Sequence, residues 1–420
     1  MYRRKIPWIG VCFLMLLPML VVLAWQRVGS GSSLSQGGSR GAPVTSGTVR
    51  RAAAKPAVPK PIGWDIPPET NVWDPYPTWN GIAVDPENNV VVISDLNRHG
   101  YFLYDRTAHS EHGEVTPPLR HVFGPATGLG FVAGIQVDPA KKVVYIAEND
   151  GYGLRTFSYD DNGNTAPRNL LATPHQVWGI GLSRPRHEMA VGVEELHSVL
   201  VYRQDAEKLD LPLRVIRGLD TGLADPHGVF LDATNNELFV ANHGNWTTYH
   251  PNTDHDQMPK EIPISPGHFE MPSIRVFPAE ANGNAKPARV IQGQKTQLDW
   301  PMQVDVDTAH NEIAVANFGA DSVIIFSRTA QGDVAPARVI QGGRTGIVGP
   351  VGVTIDTKND EIWVANYGDH TAVVFPRTAR GDVAPKRIIR NAPQDSATCG
   401  FTNASSATYD SKRKEVLVAN

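Results

Sequence analysis

Hydrophobic positions in this chain come in short runs that stop at an aspartate, cross a polar turn and resume, and the pattern returns about every 49 residues. Gly228-Val229-Phe230-Leu231-Asp232 leads to Val240-Ala241-Asn242, Val304-Asp305-Val306-Asp307 to Val315-Ala316-Asn317, and Gly352-Val353-Thr354-Ile355-Asp356 to Val364-Ala365-Asn366. Runs this short, bounded by Gly and separated by turns such as Asn88-Asn89, Asn235-Asn236 and Asn359-Asp360, predict β-hairpins. The first aspartate recurs at Asp85, Asp138, Asp232, Asp307, Asp356 and Asp410, with Ser183 in its place in a degenerate third copy, which makes seven hairpins.

A third apolar run ending in an aromatic follows most hairpins, as in Tyr101 to Tyr104, Val323 to Phe326 and Ala372 to Phe375. A fourth is marked by Pro and Arg, as in Pro118 and Arg120, Pro287 and Arg289, or Pro385 and Arg387. Proline cannot donate to a β-ladder and charge discourages edge pairing, so this run belongs on an outer strand. Four antiparallel strands with an apolar inner side and a protected outer edge make a propeller blade, which cannot bury its core except by packing on its neighbours. The fold class expected is therefore all-β, a propeller of four-stranded antiparallel blades over residues 62–420. Seven blades are expected, with a segment of about Gly63 to Asn80 supplying the missing outer strand; six blades is the alternative.

Pro226-His227-Gly228-Val229-Phe230-Leu231-Asp232 through Val240-Ala241-Asn242 resembles the NHL-repeat consensus, and imperfect copies cover residues 81 to 420. The resemblance implies a β-propeller. NHL propellers include binding platforms, signalling ectodomains and a minority of enzymes, so no single activity follows. Calcium-dependent lactonase propellers and zinc-dependent amidating lyases are the enzymes it brings into view. The lyases bind zinc through histidines in Pro-His-Gly elements on several blades, of which only Pro226-His227-Gly228-Val229 fits here, Pro174-His175 being out of register.

The N-terminus changes the picture of where this propeller works. Arg3, Arg4 and Lys5 precede an uncharged stretch from Trp8 to Trp25, whose 18 residues would span roughly 27 Å as a helix. The basic flank stays cytoplasmic, so residues 1–27 are expected to anchor the chain and export the rest, a cleaved signal peptide being the alternative. Residues 28–61, rich in Gly, Ser, Ala and Pro, read as a tether. Cys12 and Cys399 are too far separated in character and place to bridge, so the exported domain is held by its core. With 39 Lys plus Arg against 43 Asp plus Glu and no long basic run, nucleic acid is excluded as a partner.

Candidate chemistry gathers on one face. If inner strands run downward, the loops after Val-Ala-Asn and those leading into the next inner strand share the upper mouth of the channel. Trp178, His227, Asn242, His243, Trp300, Asn317 and Asn366 are the expected ligand contacts, chosen by face and residue type. The partner expected is a protein, peptide or envelope polymer. Asp95, Glu148 and Asn242, on the ring ten residues after the repeat aspartates, form the candidate calcium set, against the plainer reading that such residues cap loops. His99, His197 and His370 occupy equivalent loops, and with His175 and His227 they raise zinc as a further option. A long loop from near Trp246 to Pro272 reads as a flap over the mouth or as a tolerated insertion. No Gly-x-Ser-x-Gly, His-Glu-x-x-His, Cys-x-x-Cys or phosphate loop is present. A binding role is thus expected ahead of a metal-dependent lyase or hydrolase, and no cofactor is required.

Overall fold

The computed structural model describes residues 75–246, 268–396, 398, 406–412 and 415–419. The expected anchor, the tether, both cysteines, Asn420 and the interior of the long loop lie outside the described residues. Among the described residues no helix is long and apolar enough to cross a membrane.

Six blades are present, spanning residues 79–123, 132–172, 177–217, 226–292, 301–341 and 350–390, and in each the four strands pair antiparallel in chain order from the inside out. In the first blade they are Trp79–Asp85, Val90–Asp95, Gly100–Asp105 and Arg120–Phe123. In five of the six blades the repeat aspartate ends the inner strand by accepting turn amides, Ser183 standing in its place in blade three: Asp85 Oδ1 takes Glu87 N and Asn88 N at 2.8 and 2.9 Å, and Asp232 Oδ1 takes Thr234 N and Asn235 N at 2.8 and 3.1 Å. These Asx turns are why the motif recurs.

The expectation of seven blades is corrected to six. Blade six packs directly on blade one: Trp363, Ala365, Ala372, Val374 and Ile389 share one buried cluster with Trp79, Ile82, Ile93, Phe102 and Tyr104. Backbone bonds seal the seam, Ser110 N to Ile388 O at 2.7 Å and Thr116 N to Arg390 O at 2.9 Å. No room is left in that seam for another hairpin. Trp79 and Asn80 open the inner strand of blade one instead of adding an outer one, and Tyr76 lies edge-on to His370, ring centres 5.6 Å apart. The seventh repeat, Ser406–Asp410 and Glu415–Ala419, is a two-stranded sheet of its own and joins none of the six blade sheets.

Three devices join the blades. Inner strands meet backbone to backbone, so glycine is required: a Cβ on Gly134 would lie 2.2 Å from the Trp178 carbonyl oxygen, and one on Gly179 2.6 Å from that of His227. Next, the arginines of the outer strands of blades three to six, Arg214, Arg289, Arg338 and Arg387, are half-buried clamps, whereas Arg120 and Arg168 are exposed as expected of an edge. Arg338 grips Glu312 through two bonds of 2.5 and 2.9 Å, while Arg377 from blade six reaches the same carboxylate at 2.9 Å. At the closing seam Arg387 holds Glu361 within its own blade, and Arg106 of blade one reaches it at 3.1 Å. The carboxyl of Glu361 is buried, yet Arg387 and Lys386, the latter donating to it at 2.9 Å, hold it down at about 2. Third, in blades two, four, five and six the turn before the outer strand caps the preceding blade: Asn164, Asn284, Asp333 and Asp382 accept Ala126 N, Asp220 N, Lys295 N and Arg344 N at 2.7, 2.8, 2.6 and 2.7 Å.

Candidate functional site

Each inner strand carries a bulge next to its first residue, seen as a register break between Pro226 and Val229 or Pro301 and Val304. The second residues of the strands, Asn80, Ala133, Trp178, His227, Met302 and Val351, thereby meet around the axis. Asn80 Nδ2 donates to Ala133 O at 2.9 Å. Trp178 of blade three packs on the cluster that contains Met302 of blade five and Val351 of blade six, so its indole helps close the channel just below the mouth.

The plug is itself part of a collar of rings. Phe131 lies 5.6 Å from Trp178, Trp178 4.5 Å from His227, His227 3.6 Å from His243, and His243 5.4 Å from Trp300. Trp300 continues to Phe318 at 6.3 Å, and Phe318 to Tyr367 at 6.2 Å. The two histidines are buried, whereas Phe131, Trp178, Trp300, Phe318 and Tyr367 are partly exposed. Trp300 owes its position to a left-handed backbone, φ 52°, directly before the inner strand; Asp225 holds the equivalent place at φ 59° and Gly349 at φ 53°. For a bulky residue that conformation costs of order 1–3 kcal/mol and persists only where the surroundings enforce it.

Carboxylates bracket the two histidines. Glu194 Oε1 lies 3.0 Å from His227 Nε2, Asp225 Oδ1 lies 3.5 Å from His227 Nδ1, and Asp225 Oδ2 lies 3.5 Å from His243 Nδ1. His243 Nε2 is 3.0 Å from Met302 Sδ, and Asp225 N donates to His197 Nδ1 at 3.1 Å. Burial works against a charged His227, but Asp225 and Glu194 outweigh it and raise the imidazole above its ordinary 6.5. Burial and the neighbouring His227 push His243 down to about 4, so it stays neutral. Burial also raises Glu194 in spite of His227, whereas for Asp225 the histidines overcome burial and hold its carboxyl below the usual range.

Asp225, His227 and His243 have one donor atom each within 4.8 Å of the others, a set suited to zinc by ligand type. Their arrangement suits it poorly. The two imidazoles are stacked with planes 18° apart, so their in-plane lone pairs run side by side without converging. His227 Nδ1 also faces Asp225 O at 3.2 Å, which requires a proton on that nitrogen. As arranged, the trio is a proton-sharing network.

Of the residues expected from sequence, Trp178, His227, His243 and Trp300 are brought into one contact chain. Asn242, Asn317 and Asn366 are not at its surface. They are fully buried, and each accepts the amide leading into its inner strand, Ala224 N, Asp299 N and Val348 N at 2.7, 2.7 and 3.2 Å. Asp95 Oδ1 likewise takes Thr78 N, Asn97 N and Arg98 N at 3.0, 3.1 and 3.2 Å. Its burial pushes the carboxyl up to about 7, a poor state for a cation ligand. Glu148 takes Gly130 N at 3.1 Å and pairs with Arg155 at 3.5 Å. Asp95, Glu148 and Asn242 thus each cap a loop in their own blade. His99, His197 and His370 bond to the segments leading into the next blade, at Gly130 O, Asp225 N and Pro77 O, and do not share one site.

Glu194, Asp225 and Met302 were not singled out by the sequence. The signal available was local: Asp225 stands two residues before the Pro-His-Gly histidine, and Glu194 directly follows a second strand.

No protein-family model matches the chain, and no curated protein matches it. Among solved structures, a chain of the nidogen/laminin complex aligns at 13% identity, TM-score 0.45, over 72% of this chain and 89% of that one. The WD40 β-propeller domain of Doa1 aligns at 10% identity, TM-score 0.47, over 81% and 89%. A chain of the hydrazine synthase of Kuenenia stuttgartiensis aligns at 14%, TM-score 0.48, over 74% and 99%. The six four-stranded sheets among the described residues define a six-bladed β-propeller.

The two buried histidines are expected to titrate on opposite sides of the ordinary value. His227, raised, adds stability that is complete below pH 6.5 and is lost as pH climbs through its folded value. His243, lowered, removes stability as pH falls from 6.5 toward about 4. Nitrogen-15 NMR titration of the imidazoles checks this, with Asp225→Asn expected to lower His227; two curves coinciding near 6.5 would contradict the network.

Proposed function

We propose that this protein is an extracytoplasmic binding platform of NHL type, tethered to the membrane by its N-terminal helix, that takes a segment of a protein, peptide or envelope polymer at the upper mouth. The observation that carries this reading is the collar of partly exposed rings over a plugged channel. A surface of rigid aromatic side chains with a few fixed polar groups gives contact area at little entropic cost, which is how binding mouths are built. The Trp178 plug supports binding at the mouth over passage through the channel. The NHL-like repeat motif supports the family reading, and the basic flank before the Trp8 to Trp25 stretch supports export.

The metal-dependent lyase or hydrolase reading retains one supporting observation, the Asp225, His227 and His243 donor set. The stacked imidazoles count against it.

A random peptide library panned against the full chain and, in parallel, against the Trp178→Ala, Trp300→Ala double variant tests the platform. Binders recovered by the parent and lost by the variant are expected; equal recovery would refute a role for the mouth. The tether has a separate test. The full chain should resist carbonate extraction from membranes, whereas a chain starting at Val28 should be released, and release of both would remove the anchor.

A further inference from the structure

The upper mouth has a charge that the chain as a whole lacks. Its described loops are 96–99, 149–152, 194–197, 243–246 with 268–272, 318–321 and 367–370 after the second strands, and 75–78, 124–131, 173–176, 218–225, 293–300 and 342–349 leading into the inner ones. They contain Asp150, Glu194, Glu195, Asp220, Asp225, Glu270, Asp299, Asp321 and Asp369, against Arg98, Lys295 and Arg344 among these described residues. Chain-wide the ratio is 43 acids to 39 bases. Arg98 is itself engaged with Pro75 O at 2.5 Å, and many of the other described arginines are drawn into the blade clamps below and outside. His175, between Glu195 at 3.5 Å and Asp150 at 3.9 Å, and His227 between Glu194 and Asp225 offset only part of this surplus.

Resting on the platform reading, we infer that the mouth selects a cationic peptide segment. A lysine or arginine side chain lies against the ring faces of Trp178 and Trp300, with its charge toward Glu194 and Asp225. Two independent features converge on this occupant. Partly exposed tryptophan faces attract cations through the ring quadrupole, most strongly where water is thinned out. Carboxylates that are themselves only slightly exposed, 16% for the side chains of both Glu194 and Asp225, are screened less than surface charges and favour a partner that restores neutrality. An acidic or phosphorylated segment would meet like charge at the same place, which is a means of rejection as well as of recognition.

The probe is a fluorescein-labelled hexalysine peptide titrated into the full chain and followed by anisotropy, beside hexaglutamate and an uncharged Gly-Ser hexapeptide. Hexalysine is expected to bind at least about tenfold more tightly than either, weakening as salt is raised. The Glu194→Gln, Asp225→Asn variant should lose that preference; asparagine tolerates the left-handed backbone at 225, so the loop is retained, and thermal melts verify it. Trp178→Phe, which keeps the plug filled, should weaken hexalysine by a smaller factor. Equal binding of the uncharged peptide, or hexalysine binding that neither variant changes, would overturn the inference. The panned library separates the two levels. Mouth-dependent binders that are neutral or acidic refute the cation while leaving the platform intact, and an absence of mouth-dependent binders refutes both.

Discussion

The contact on which the rest of this molecule depends is the meeting of inner strands around the axis, close enough that one backbone touches the next. Gly81, Gly134, Gly179, Gly228 and Gly352 occupy the same position in five blades, and a Cβ at any of them would press on neighbouring main chain or on a side chain fixed to it. Blade five has Gln303 there, and its main chain is what Gly228 approaches. A ring drawn this tight leaves the second residue of every inner strand facing its counterparts, so six side chains from distant parts of the sequence are gathered without any loop having to reach. Trp178, His227 and Met302 become neighbours through that constraint alone.

From there the chemistry follows by burial. A histidine placed between two carboxylates holds a proton, and a second histidine stacked on it cannot hold another in the same dry space. The strained turns at Asp225 and Trp300 aim one carboxylate inward and one indole across the mouth. Local bonds hold those turns: Asp225 N donates to His197 Nδ1 and Asp225 O accepts His243 N, while Trp300 O accepts Phe318 N.

The blades themselves were legible in the sequence because a four-stranded unit repeats its turn chemistry: Asp232 and Asn235 at one turn, Asp356 and Asn359 at another, each making the same bonds. The number of blades was not, since Asp410 begins a hairpin with the same pattern, and pattern says nothing about whether Trp363 finds Trp79 across a seam. Asn242, Asn317 and Asn366 looked like a ring of ligands because they recur on the upper face; in the structure each makes the same capping bond to the segment leading into its inner strand. Trp178, His227, His243 and Trp300 differ from blade to blade, and it is those departures from the repeat that mark the mouth. Glu194 and Asp225 escaped notice because their importance lies in what stands beside them in space.

Closure of the ring between blades six and one, without help from the seventh hairpin, is the claim on which mouth geometry rests. The most direct measurement is cooperative thermal unfolding of a chain that stops at Ser396, compared with the full chain. Closure by Trp79, Trp363 and the Arg106–Glu361 pair predicts one sharp transition within a few degrees of the parent, a few degrees being what roughly 1 kcal/mol shifts in a domain this large. Loss of the transition, or a broad one at much lower temperature, would mean that the last hairpin completes the ring.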